Sequence, residues 1–299
     1  MEKANYPIIV LCRVLKVARQ GYYKWQKKQV EDSASFREIE NQELAEKIKQ
    51  IDAQHKGRYG VRRIHAQLRT EGFRVNLKRV YRIMKTLGLQ GIHPNKPKKG
   101  TTVRAKDRKP AKDLVQRNFT PDKPNDLWVS DIMEFKTLEG KLYLASVLDC
   151  YSRMNVGFKV DDNIEATLVT DALRMAISHR KPPPGLIHHS DQGSQYTSQA
   201  VSTLCGVHKI SLSMGEKGDC FDNAVSESLN KTIKTELINQ QVWQTKEQAK
   251  QAIFEYINVY YNRKRYHSTL NYHTPHEYEI LSEQTTKTTP TAQITTVNN

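Results

Sequence analysis

Paired cysteines, long apolar runs and a leader-like start are all missing from this chain. Its 299 residues include four cysteines, Cys12, Cys150, Cys205 and Cys220, and no two form a Cys-x-x-Cys pair. That spacing excludes a cysteine zinc site and a disulfide framework and leaves reduced thiols as the expectation. No apolar stretch approaches the roughly 18 residues that a membrane helix needs, and the opening Met1-Glu-Lys-Ala-Asn-Tyr-Pro lacks a charged-then-apolar signal layout. A cytoplasmic, nucleoid-associated protein without a membrane partner is expected. Acidic residues are scarce in one region only. Residues 1–112 hold 28 Lys and Arg against 10 Asp and Glu, a net +18, whereas residues 113–299 hold 19 against 22, a net −3. Such a split fits an arm that grips phosphates joined to a core that gathers carboxylates.

The basic region reads as two helical modules and a linker. Residues 8–27 place apolar side chains at helical spacing in two short pieces broken near Lys16-Val17, a small helix-turn-helix pattern within a segment of residues 1–35. A charged helix over 36–55 follows. From Arg58 to Leu68 a helix carries Arg62 and Arg63, Gly72-Phe-Arg-Val makes a turn, and Asn76 is the N-cap of a second helix, Leu77 to Lys85, that ends at Gly88. Ile64, Leu68, Val80, Ile83, Met84 and Leu87 form the seam, which leaves Lys78, Arg79, Arg82 and Lys85 outward on the helix expected to enter a major groove. A solvated basic face is the bland alternative. Residues 36–93 make this second module. Residues 94–112 carry eight basic residues, among them Lys98, Lys99 and Arg104, with one acid and three prolines, so nothing there builds a core. The segment 94–117 is expected to be a linker that tracks a DNA backbone or simply tethers.

Beyond residue 118 the pattern changes to alternating strands and helices. Leu127 to Phe135 reads as a strand bearing Asp131 and entering a hairpin, followed by strands at Lys141–Asp149 and Met154–Val160 and a helix at Ala166–His179. A short strand, Leu186-Ile-His-His-Ser-Asp191, ends on a second carboxylate. A third, Glu227, stands in Asp222-Asn-Ala-Val-Ser-Glu227-Ser-Leu-Asn-Lys231-Thr-Ile-Lys234, with 35 residues between it and Asp191. At 3.6 residues per turn Asn223, Glu227, Asn230, Lys231 and Lys234 share one helix face, opposite Val225, Leu229, Ile233 and Leu237. The bland reading is a surface helix with ordinary charge pairs. Asp149 is left out of the site as a turn cap, and His188 and His189 are read as packing and orientation groups. A long helix over 245–262 leads to the basic aromatic cluster Arg263-Lys-Arg265-Tyr-His267, suited to backbone contact within an extension of residues 243–281, and the Thr-rich tail 282–299 is expected to be disordered.

Trp128-Val-Ser-Asp131-Ile, Leu148-Asp-Cys-Tyr-Ser-Arg153, His189-Ser-Asp-Gln-Gly-Ser-Gln-Tyr196, Asp222-Asn-Ala-Val-Ser-Glu227 and Tyr261-Asn-Arg-Lys-Arg-Tyr-His267 occur in an order and spacing that resemble the DDE transposases and retroviral-type integrases. The match is with the OrfB-type transposases of the insertion-sequence-three family, from about residue 5 to about residue 280. The resemblance implies an α/β, ribonuclease-H-like core at residues 118–242, a mixed five-stranded sheet with flanking helices, behind all-helical DNA-binding modules. It implies that Asp131, Asp191 and Glu227 are the catalytic residues and bind two Mg²⁺ ions, with Mn²⁺ able to substitute: Asp131 bridges both ions and the others hold one each. It also implies strand cleavage at element ends, transfer of the 3′-OH to another phosphodiester, and action on double-stranded terminal repeats and target DNA. A homo-oligomer, at least a dimer, is expected on paired ends, and related elements often make a longer fusion from an upstream frame. Asn223, Lys231 and Lys234 would lie against the DNA. A metal-dependent nuclease of the same fold and a catalytically silent DNA-binding regulator are the competing readings.

Overall fold

Asn76, Gly72 and Gly88 punctuate the front of the chain. The computed structural model describes residues 6–30, 36–93, 111–215 and 223–288 and separates them into two compact units, before and after Gln90. In the first unit α1 (Ile8–Val14) and α2 (Arg19–Val30) meet at a turn where Lys16 takes a positive φ of 52°. Then come α3 (Phe36–Gln54), α4 (Val61–Thr70) and α5 (Leu77–Thr86). The Asn76 side chain accepts the Arg79 amide at 2.8 Å and so satisfies a free N–H at the start of α5. Gly72 and Gly88, at φ +91° and +68°, close α4 and α5 in a conformation that a side chain would strain. Ile64, Leu68, Val80 and Met84 are buried as expected, while Ile83 and Leu87 are half-buried. α4 starts three residues later than the sequence suggested, because Tyr59 is fully buried and stacks on His55, whose ring pairs with Gln67 at 2.9 Å.

In the second unit β1 (Leu127–Thr137), β2 (Gly140–Asp149) and β3 (Asn155–Asp161) form an antiparallel meander, and β4 (Ile187–Ser190) and β5 (Ser211–Met214) add in parallel on the other side of β1. The order β3-β2-β1-β4-β5 is the mixed five-stranded sheet that the resemblance implied. Alternation along β1 sends Val129, Met133 and Phe135 into one apolar layer and Trp128 into the other. The second layer is closed by α6 (Ala166–Arg180) and α7 (Gln199–Val207), through Leu168, Ala172, Leu173 and Val201. β3 and α6 touch backbone to backbone at Gly157, where a Cβ would stand 2.3 Å from the Ala172 carbonyl. The first layer is closed by α8 (Ala224–Glu236), whose Leu229 and Ile233 are buried against the sheet.

Three segment boundaries differ from the sequence reading. The first layer also contains Trp243, Ala249, Ile253, Tyr256 and Ile257, so α9 (Lys246–Glu255) and the π-helical turn Tyr256–Tyr261 belong to the core rather than to an appended extension. The expected tail is helical at its start, since α10 (Pro275–Thr288) runs past residue 282 and is tied down by Glu279, which takes both arms of Arg180 at 2.7 and 2.8 Å. The last residues of the linker pack too. Val115 is buried, as is Phe119 just beyond the linker, and the Leu114 amide donates to Ser213 Oγ at 2.9 Å. Among the described residues no helix is long and apolar enough to cross a membrane.

Candidate active site

Strand register brings the first two carboxylates together. β1 and β4 pair in parallel as Leu127 with Ile187, Trp128 with His188 and Val129 with His189. Carried two residues further, that offset sets Asp191, just past the end of β4, level with Asp131 on the adjacent strand, where neighbouring strands run about 4.8 Å apart. Asp131 is half-buried, and its desolvation together with the Asp191 charge pushes it up to about 7, against hydrogen bonds from the Ile132 amide and the Asn230 side chain that favour its charged form. Asp191 is also raised by burial, and its Oδ1 accepts the Gly193 amide at 3.0 Å. A Cβ on Gly193 would come within 2.9 Å of that same oxygen, so the turn after β4 admits only glycine without moving the carboxylate.

Glu227 arrives on α8 from the other side. Asn230, one turn along, is buried and donates to Asp131 Oδ2 at 2.9 Å. Glu227 itself is exposed and reaches Asp131 through its charge. The structure therefore joins Asp131, Asp191 and Asn230 closely and sets Glu227 at the rim. Among the described residues no three carboxylate, imidazole or thiol groups stand near enough to enclose one ion together. What is present still suits a hard divalent cation. The donors are all oxygens, the two half-buried carboxylates repel each other, and two buried oxygens in this neighbourhood, Asn230 Oδ1 and the Tyr196 phenol, find no partner among the described residues.

Residues 38–97 match the HTH-like domain family, and residues 121–220 and 208–275 match Integrase core domain families. A transposase for insertion sequence element IS904 from Lactococcus lactis is 40% identical over 82% of this chain and 96% of its own length. The chain belongs to the insertion-sequence transposase family. Transposase InsF for insertion sequence IS3A of Escherichia coli is 34% identical over 93% of this transposase and 96% of its own length. The catalytic core of HTLV-2 integrase, solved in complex with magnesium, superposes at a TM-score of 0.41 with 19% identity, covering 52% of this chain and 97% of that one.

The basic residues singled out in the transposase sequence divide into exposed and structural groups. Arg62, Lys78, Arg82, Lys85, Lys231 and Arg263 are exposed, and Lys234 is half-buried on the same side of α8 as Lys231. Three expectations are corrected. Arg79 turns onto α3, donating to Asn41 at 2.8 Å and Glu40 at 3.1 Å, because position 79 faces the helix seam. Arg265 is 3% exposed, and its guanidinium clasps Glu236 at 2.7 to 3.0 Å, an acid also held by Tyr256. Asn223 is buried too. Its amide donates to the Ser130 carbonyl at 3.2 Å and pins the start of α8 to the residue before Asp131. Arg63 is half-buried over the Tyr59 ring. Lys98, Lys99 and Arg104 lie outside the described residues, as do residues 216–222 before α8.

Sequence reasoning missed Asn230 as a site residue although it placed Asn230 on the correct face. The signal was its spacing, three residues after Glu227 and therefore one turn along. The two histidines behave as read. His188 pairs with Ser130 at 2.7 Å and His189 with Ser213 at 2.9 Å, both buried, which locks β4 to its neighbours. Asp149 caps the turn through the Tyr151 amide at 2.9 Å and meets Arg180 at 3.3 Å, away from the site.

Proposed function

We propose that this transposase holds divalent cations, Mg²⁺ with Mn²⁺ able to substitute and two per site, on Asp131, Asp191 and Glu227, and there cuts a strand at the element end and joins the freed 3′-OH to a second phosphodiester. The observation that carries this reading is the level placement of two half-buried carboxylates on adjacent parallel strands, with a third carboxylate one helical turn from the Asn that touches the first. Bound cations of this kind activate a water or hydroxyl at neutral pH and stabilise the leaving oxygen. The chain's own groups arrange the oxygens. Asn230 orients Asp131, the Gly193 amide orients Asp191, and Asn223 sets where α8 begins and so how Glu227 approaches. Without cations, burial and the Asp191 charge raise Asp131 to about 7, so the pair resists carrying two adjacent charges.

The DNA partners follow the charge. Lys78, Arg82 and Lys85 recur along one exposed edge of α5 and would meet phosphates and base edges of a terminal repeat, with Arg62 nearby in sequence on α4. Lys98, Lys99 and Arg104 give the linker charge to follow the backbone. Lys231 and Lys234, one and two turns beyond Glu227, would contact the DNA leaving the carboxylates, and Arg263 the strand beyond. We read the working form as a homo-oligomer, at least a dimer, that pairs two ends, with an upstream-frame product or fusion as a further partner. A joining assay with paired element ends and Mg²⁺ tests the proposal against its rivals: joined products support the transposase, cutting without joining would indicate a nuclease, and binding alone a silent regulator.

A further inference from the structure

The turn that carries Asp191 also carries a group with no assigned use. Tyr196 is 2% exposed, and its phenol has no hydrogen-bond partner among the described residues. Its amide donates to the Gly193 carbonyl at 3.1 Å, and its ring lies so close to Gly193 that a Cβ there would be 3.6 Å from Tyr196 Cδ2 and 2.9 Å from Asp191 Oδ1. Glycine 193 is thus sandwiched between the carboxylate and the tyrosine ring. The Tyr196 ring centroid is also 6.2 Å from that of His188, which is itself held by Ser130, the neighbour of Asp131. Burial and the charges of both Asp131 and Asp191 hold the phenol proton on far above the ordinary tyrosine range, so the group is a donor at any pH the protein meets. A buried hydroxyl without a partner destabilises a fold, and phenylalanine would fill the same space without that cost.

We propose that Tyr196 is a positioning residue of the carboxylate pair, its phenol donating to a water oxygen bound with the cation at Asp131 and Asp191. The inference rests on the cation reading given above. Groups that hydrogen-bond to ligand oxygens tune cation affinity as well as orientation, and their loss weakens binding by roughly 10- to 100-fold. Tyr256 supplies a control of opposite sign, since its phenol is buried but satisfied, donating to Glu236 at 2.8 Å.

The test titrates Mn²⁺ alone into the full-length chain, following the free Mn²⁺ signal by electron paramagnetic resonance, with thermal unfolding measured in chelator. For Tyr196→Phe the expected result is Mn²⁺ affinity weakened about tenfold together with a cation-free melting temperature equal to or above that of the parent. Tyr256→Phe should melt lower and bind Mn²⁺ as the parent does. Parent-like Mn²⁺ affinity in Tyr196→Phe, while Asp191→Asn abolishes binding, would overturn the inference and leave the cation site standing. A lowered melting temperature in Tyr196→Phe with unchanged affinity would mark the phenol as a structural group and overturn it equally. If Mn²⁺ binding is indifferent to Asp131→Asn and Asp191→Asn, the cation reading itself fails and the inference falls with it.

Discussion

Replacing Asp131 with Asn should stabilise the cation-free protein at high pH and leave it unchanged at low pH. Asp131 sits near 7 in the fold against an ordinary carboxylate value of 3.8, because burial and Asp191 both disfavour its charge. A folded value above the unfolded one means that the stability this carboxyl contributes is complete below about pH 4 and is lost as pH rises through 7. At 1.36 kcal/mol per unit the loss is on the order of 4 kcal/mol by pH 8, an upper figure for one site in a coupled pair. Asn has no charge to repel Asp191 and keeps an oxygen to accept from Asn230. For a unit of this size, about 2–4 °C per kcal/mol places Asp131→Asn on the order of 10 °C above the parent at pH 8 in chelator, with the gap closing towards pH 4. Melting curves across that range, with and without Mg²⁺, read it directly. The parent should gain from Mg²⁺ at pH 8 and the variant should not. A gap that is independent of pH, or a variant that melts lower at pH 8, would refute the placement of two repelling carboxylates.

Other perturbations follow from particular contacts. Gly193→Ala presses a methyl group on Asp191 Oδ1, and since displacement of a catalytic group by about 1 Å can cost roughly 10²-fold, joining should fall by that order while the fold persists; near-normal joining would mean that the turn has room. Arg265→Ala leaves Glu236 buried without its partner and should cost about 3–5 kcal/mol; weakened DNA binding at unchanged denaturant midpoint would return Arg265 to the DNA surface. Lys234→Ala should reduce joining at subsaturating end DNA and recover when DNA is raised, whereas Lys250→Ala on α9 should do neither. Equal effects would deny Lys234 a place at the DNA tip. DNA binding by the full chain should also weaken steeply with salt, through counterion release at the basic face of α5 and the linker, and salt-independent binding would count against the arm.

The strands and helices were legible because their periodicities are plain: alternation along Leu127–Phe135, the capped turn before Leu77, and the apolar stripe of α8 all emerged where expected. Order and spacing suggested that Asp131 and Asp191 converge, and the parallel register sets them level. What a linear pattern hides is which polar residue is enclosed. Arg265 and Asn223 belong to polar segments and read as surface groups, yet each is committed to a partner distant in sequence or carried on another element, Glu236 in one case and the Ser130 carbonyl in the other. The extension was misjudged for the same reason. Asn262 and Asn155 exchange hydrogen bonds at 2.9 and 3.0 Å across 107 residues, and no local signal foretells such a pairing. Asn230 and Tyr196 became visible only when the sheet register set Asp131 beside Asp191.

The measurement that bears most directly on the central claim is strand joining by Asp131→Asn, Asp191→Asn and Glu227→Gln, made with end DNA and Mg²⁺ alongside a binding assay on the same samples. Each variant should lose cutting and joining altogether while it binds end DNA as the parent does, because each would remove a proposed cation ligand and leave the basic front third intact. Joining close to the parent level by any one of the three would contradict the account.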